Sequence, residues 1–122
     1  MAAKVLVVEG EKLVRRFLDR ALTRAGYDVQ ATSSPEEAIK ICRALSIDLV
    51  LADAGWEKPN GHDLARWVAV ERPNTRVLLM AAWESECEQC PYAPMCGLIQ
   101  KPFHKGQVLA SVADALEGKR IA

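Results

Sequence analysis

Three charged side chains each stand at the end of a short apolar run: Glu9 follows KVLVV, Asp53 closes IDLVLAD, and Lys101 follows GLIQ. Such runs read as strands, and a carboxylate placed where a covered strand emerges lies where open α/β sheets put their sites. Taken alone, Asp53 either serves such a site or caps the turn before Gly55. Two carboxylates and an ammonium meeting at one sheet edge make either a charge-balanced structural cluster or a site for a divalent cation and a phosphoryl group. A second group has a different chemistry. Cys87, Cys90 and Cys96 follow the pattern C-x2-C-x5-C. The first pair can direct two thiolates to one soft metal, but a closed zinc site needs four ligands. His104 is the nearest candidate for the fourth, His62 serves only if its loop approaches, and Cys42 would have to leave a buried helix face. Zn²⁺ or an iron-sulfur cluster, a reversible disulfide, and reduced structural cysteines are the three readings of this cluster.

These groups meet only if the intervening chain folds to carry them. After KVLVV, Val14, Phe17, Leu18, Ala21, Leu22 and Ala25 recur at helical spacing, and Gly26 ends the pattern as a C-terminal glycine does. Tyr27–Ala31 forms a strand. Ser34-Pro35-Glu36-Glu37 then predicts a helix start, with Ser34 as N-cap, Pro35 at the first helical position and Glu37 placed for a capping box. That helix runs to about Leu45 and turns Ala38, Ile41, Cys42 and Leu45 inward, so Cys42 reads as a small buried hydrophobe. The Asp53 strand follows, then a loop with Pro59-Asn60-Gly61, a helix through Leu64, Ala65, Trp67 and Val68 that Pro73 must end, and the covered strand RVLLM from Arg76. Residues 81–95 are the least regular part, because the prolines of PYAPMC allow only a short or distorted helix there. GLIQ is a last brief strand. Val108 or Leu109, Val112 and Leu116 mark the last helix, with Gly118 at its end. Strands alternating with helices require crossover connections, and a parallel sheet between two helical layers buries both kinds of element. All strand C-termini then share one edge, which brings Glu9, Asp53, Ala81 and Lys101 together.

Composition narrows the class of function. At 122 residues and 50% hydrophobic, the chain supports one well-packed domain over residues 1–122. Sixteen basic and sixteen acidic residues cancel, so there is no overall field to recruit nucleic acid or an anionic membrane. No run approaches the roughly eighteen apolar residues of a membrane span, and no secretory leader is evident, so a cytoplasmic location is expected.

VLVVEGE at Val5–Glu11, DLVLAD at Asp48–Asp53, Asn60-Gly61 seven and eight residues further on, VLLMAA at Val77–Ala82 and KPF at Lys101–Phe103 together resemble the receiver domain of bacterial two-component response regulators, the CheY-like superfamily. The resemblance extends from about Lys4 to Leu116. It implies a flavodoxin-like, doubly wound three-layer sandwich with a five-stranded parallel sheet of order 2-1-3-4-5. It also implies that Asp53 is the phosphoacceptor, attacking a phosphohistidine on a histidine kinase or phosphotransfer protein. Lys101 pairs with that carboxylate and later with a phosphoryl oxygen, and the Lys101-Pro102 bond is cis. Mg²⁺ is held by Glu9, Asp53 and the carbonyl of Gly55. Any catalysis is at most phosphoryl transfer to the chain's own aspartate. EGKRIA after Leu116 contains no DNA-binding helix pair, so output is expected through protein contacts, or through residues outside this chain if it is a fragment. Dimerisation through residues 81–95 is the family expectation, set against the prolines and cysteines there.

The chain departs from this pattern at several places. Gly10 replaces the second acid of the pair that binds metal, so Mg²⁺ affinity is expected to be weak. Glu11 either reaches in to replace it or simply sits at the favourable dipole end of a helix. Ala81 stands where a hydroxyl should bind a phosphoryl oxygen, and Leu98 where the switch aromatic belongs. Glu57 replaces a proline beside Trp56, which is either a lid near the phosphate or a cover for the loop. The expectation is an atypical receiver phosphorylated on Asp53; the alternative is a pseudo-receiver, a protein-interaction module tuned by a metal or redox cysteine cluster.

Overall fold

The computed structural model describes residues 2–54, 61–81 and 96–117, with side chains in the last strand only from Ile99 onward. The elements are β1 (Lys4–Val8), α1 (Lys12–Arg24), β2 (Asp28–Thr32), α2 (Pro35–Ala44), β3 (Leu49–Asp53), α3 (Gly61–Glu71), β4 (Arg76–Ala81), β5 (Cys96–Gln100) and α4 (Lys105–Leu116). All neighbouring strands pair in parallel, in the order β2-β1-β3-β4-β5. This is the layered parallel α/β sandwich that the alternation of elements predicted, with the flavodoxin-like strand order that the resemblance implied.

Burial follows the strand period. Leu6, Val8, Val50, Ala52, Leu79 and Ala81 face α2 and α3, while Val5, Val7, Leu49, Leu51, Leu78 and Met80 face α1 and α4. Every apolar residue of β1, β3 and β4 just named is fully buried, which is why these strands read as unbroken apolar runs. Each such Leu or Val contributes about 1.5–3 kcal/mol by leaving water. β2 is mostly exposed, as an edge strand can be.

Local signals set most boundaries. Ser34 Oγ accepts the Glu37 backbone N–H at 3.2 Å, with Pro35 opening α2. The other half of the expected box is supplied differently, because the Ser34 N–H donates to Thr32 Oγ1 at 3.4 Å. Gly26 follows α1 with φ +101°, a left-handed conformation suited to glycine. Cys42 is buried on α2 as expected, and desolvation pushes its thiol pKa up. Leu45 departs from expectation: it is the extended C-cap of α2 and is 37% exposed, so its side chain has left the inner face. Residues 82–95, where a short helix is expected, and Trp56, Glu57 and Gly118 lie outside the described residues. Among the described residues, no helix is long and apolar enough to cross a membrane.

Candidate phosphoacceptor site

Hydrogen bonds that prolong the sheet beyond its strands fix the backbone of the site. The Glu9 N–H donates to the Thr32 carbonyl at 3.0 Å, Ala54 N–H to Met80 at 2.7 Å, and Lys101 N–H to Ala81 at 2.7 Å. Each of these bonds joins a residue at or beside the site to the neighbouring strand, so the three charged residues inherit the rigidity of the sheet. The sequence argument that one edge collects them is borne out: Lys101 Nζ lies 3.3 Å from Glu9 Oε2 and 3.4 Å from Asp53 Oδ2. It also lies 3.4 Å from Glu9 Oε1. These separations exceed the roughly 2.7–2.9 Å of a tight charged hydrogen bond, so the ammonium is shared between two carboxylates rather than committed to one.

The two acids sit in different surroundings. The Glu9 side chain is 1% exposed, whereas those of Asp53 and Lys101 are each 24% exposed. Burial, and secondarily the charge of Asp53, hold the Glu9 pKa above the ordinary glutamate value, while Lys101 and a hydrogen bond from the Glu11 backbone oppose the shift. Glu11 thus supports the site through its main chain, while the residue itself is exposed at the N-cap of α1. Gly10 is exposed and offers no side-chain oxygen.

Gly61, at the start of α3, allows that helix to pack directly on the tip of β3. A Cβ there would collide with the Asp53 carbonyl oxygen and lie 2.8 Å from Ala54 Cα. Glycine is therefore required by close backbone approach rather than by a special φ. At the neighbouring tip, Ala81 is fully buried in the apolar cluster beneath α2 and α3. The Lys101-Pro102 peptide bond is cis, as the resemblance implied.

Sequence reasoning missed two supporting features. Arg15 Nη1 donates to the carbonyl of Glu9 at 2.9 Å and contacts that of Gly10 at 3.5 Å, clamping the turn that carries Glu9. A hint was available, because cations crowd the opening of α1, where the helix dipole disfavours them. His104 caps α4 through a reciprocal box: Nδ1 accepts the Gln107 N–H at 3.3 Å, and the Gln107 side chain accepts the His104 N–H at 2.9 Å. That leaves Nε2 as the ring nitrogen available for any other role. Gly55, Cys87, Cys90 and the side chains of Cys96 and Leu98 lie outside the described residues. Among the described residues, no group of three or more His, Cys, Asp or Glu is placed to hold a metal ion.

Comparison with known proteins agrees with this geometry. The model of the response regulator receiver domain matches residues 5–113. The chain is 34% identical over 83 residues to the response regulator protein FleR of Pseudomonas aeruginosa, covering 68% of this chain and 18% of that one. It is 32% identical to the DNA-binding transcriptional regulator NtrC of Rhizobium meliloti, covering 97% of this chain and 25% of the relative. The chain therefore spans a quarter or less of these two proteins. Among solved structures, a response regulator receiver protein from Sinorhizobium medicae superposes with a TM-score of 0.87 at 26% identity, over 95% of each chain. The parallel sheet that gathers Glu9, Asp53 and Lys101 at one edge, and the family match spanning it, have a common explanation: this chain belongs to the response regulator receiver domain family.

Proposed function

We propose that Asp53 accepts a phosphoryl group from a phosphohistidine on a histidine kinase or phosphotransfer protein. The observation that carries this reading is the ammonium of Lys101 at 3.4 Å from a partly exposed aspartate. A carboxylate oxygen of Asp53 attacks phosphorus, a P–O bond forms as the P–N bond to the donor imidazole breaks, and the departing imidazole nitrogen takes up a proton. Lys101 is placed to follow the charge as it spreads onto the phosphoryl oxygens, and the buried Glu9 holds that ammonium from its other side.

Glu9 and Asp53 suit a hard divalent cation, because they bring carboxylate oxygens together at one sheet edge beside Lys101. Mg²⁺ held there by Glu9, Asp53 and the Gly55 carbonyl would supply electrostatic stabilisation to the transferring group. With Gly10 contributing no ligand, the expected affinity is weak. The test is intact-mass measurement after exposure to a small phosphodonor with Mg²⁺. The expected result is one added phosphoryl group that disappears in Asp53→Asn, and an unmodified wild-type chain would overturn the reading.

Gly10 and the buried Ala81 favour a second reading: an interaction module with little or no phosphorylation. Cys87, Cys90, Cys96 and His104 would then tune it through a soft metal or redox change. Elemental analysis of anaerobic protein separates this option; folded, reduced protein without zinc or iron removes the metal.

A further inference from the structure

We infer that Arg15 is a positioning residue for the cation site: from α1 it fixes the Glu9–Gly10 turn and so sets how firmly Glu9 and Asp53 hold Mg²⁺. This role rests on the part of the phosphoacceptor reading that gives Mg²⁺ to those two acids. Of the arginines on α1, Arg16, Arg20 and Arg24 are exposed, whereas Arg15 is half-buried and turned back onto the main chain. Its Nη1 donates to the Glu9 carbonyl at 2.9 Å and approaches that of Gly10 at 3.5 Å. Its own N–H donates to the Glu11 carbonyl at 2.9 Å, so the side chain reaches back from a backbone already locked into the first turn of the helix. That first turn holds no acid. A cation there opposes the helix dipole, and the two carbonyls are what answer it.

Both main-chain groups of Glu9 are thereby engaged. Its N–H donates to the Thr32 carbonyl at 3.0 Å and its carbonyl accepts from Arg15, which leaves the side-chain torsions to place the carboxylate. That carboxylate is buried, 3.3 Å from Lys101 Nζ. Restraint is needed at the next residue, because Gly10 is exposed, has no Cβ and brings the freedom of glycine to the turn that carries Glu9. The charges acting on the Glu9 carboxyl are those of Asp53 and Lys101, so Arg15 works through the main chain rather than through its field at the carboxylate. Groups that orient metal ligands without touching the metal commonly govern affinity by about tenfold to a hundredfold. Arg15 supplies by geometry part of what a carboxylate at Gly10 would have supplied by charge.

Amide NMR shifts followed through a Mg²⁺ titration of the whole chain give the dissociation constant without any phosphorylation. Arg15→Ala is expected to raise it by about tenfold, and to slow modification by a small phosphodonor at a fixed, subsaturating Mg²⁺ concentration. Arg15→Lys keeps the charge and one donor, and should fall between Arg15→Ala and wild type; it carries the test if Arg15→Ala does not fold. Arg20→Ala, on the exposed side of α1, should match wild type. Urea unfolding of each variant reads stability separately. An Arg15→Ala chain that loses stability but binds Mg²⁺ as wild type does would overturn the role, because the clamp is then only structural. Tighter Mg²⁺ binding in Arg15→Ala would overturn it too, by showing that the guanidinium merely repelled the cation, and so would a wild-type chain whose shifts do not respond to Mg²⁺. If wild type binds Mg²⁺, Arg15→Ala weakens that binding and neither chain takes up a phosphoryl group, the phosphoacceptor reading falls alone and the role of Arg15 stands.

Discussion

β3 and β4 run side by side in register, with Asp53 opposite Met80, yet their tips end in different chemistry. At the tip of β3 a carboxylate is partly open to solvent and faces the ammonium of Lys101. At the tip of β4 a methyl group, Ala81, is fully buried among apolar side chains. The same sheet positions both, since the Ala54 N–H donates to the Met80 carbonyl and the Lys101 N–H to the Ala81 carbonyl. Backbone architecture is thus retained at both tips, and what differs is the side chain presented. On the proposed reading the β3 tip presents the acceptor carboxylate, whereas the β4 tip presents no hydroxyl to meet a phosphoryl oxygen.

The largest expected effect tests the β3 tip. Removing the ammonium with Lys101→Ala should slow phosphorylation of Asp53 by roughly a hundredfold or more, the scale seen when one donor to a developing charge is lost. Initial rates with a small phosphodonor check this, and a rate close to wild type would mean that Lys101 is only a structural counter-ion. Next, Gly61→Ala drives a methyl group into the backbone of Asp53 and Ala54. A loss of about 1–3 kcal/mol in urea unfolding is expected, as for overpacking, because backbone atoms have little room to give.

At the β4 tip, Ala81→Ser should raise the yield of phosphorylated chain by up to about tenfold by supplying a hydrogen bond to a charged oxygen, measured by intact mass over time. The same hydroxyl should cost about 1 kcal/mol in the unmodified protein, where it is buried among apolar groups. If phosphorylation is unchanged, the β4 tip is remote from the phosphoryl oxygens and the contrast between the strands is only one of packing.

The smallest effect concerns pH. The folded pKa of Glu9 is raised, so the native state holds a proton that the unfolded chain releases near the ordinary value of 4.5. The contribution of Glu9 to stability is therefore fully present below that value and is lost as pH rises through the folded pKa. Glu9→Gln should flatten that part of the stability profile in denaturant titrations across the acidic range. A variant whose slope matches wild type would show that Lys101 fully compensates the buried charge.

Much of the fold was legible because it rests on short-range patterning. The apolar runs of β1, β3 and β4, the Ser34-Pro35 start of α2 and the glycine after α1 are local signals with local causes. Where a signal had competitors at longer range, the reading slipped. Thr32 took the Ser34 N–H that a capping box would have given to Glu37, and Leu45 turned outward once its backbone became extended. The His104 cap escaped notice because histidine is outside the usual capping set, and the Arg15 clamp because its acceptors are main-chain carbonyls, which carry no residue identity.

The sequence alone determined that an acid, a second acid and a lysine would each emerge from a strand, since hydrophobic periodicity and covalent order suffice for that, and its resemblance to the family marked Gly10 and Ala81 as departures. Only the tertiary structure decided how these residues share charge. Lys101 reaches Glu9 across 92 positions of chain, and Glu9 is withdrawn from solvent while Asp53 stays accessible. Burial and distance are properties of packed layers, and they set the electrostatics that separate the buried Glu9 from the partly exposed Asp53, the proposed acceptor.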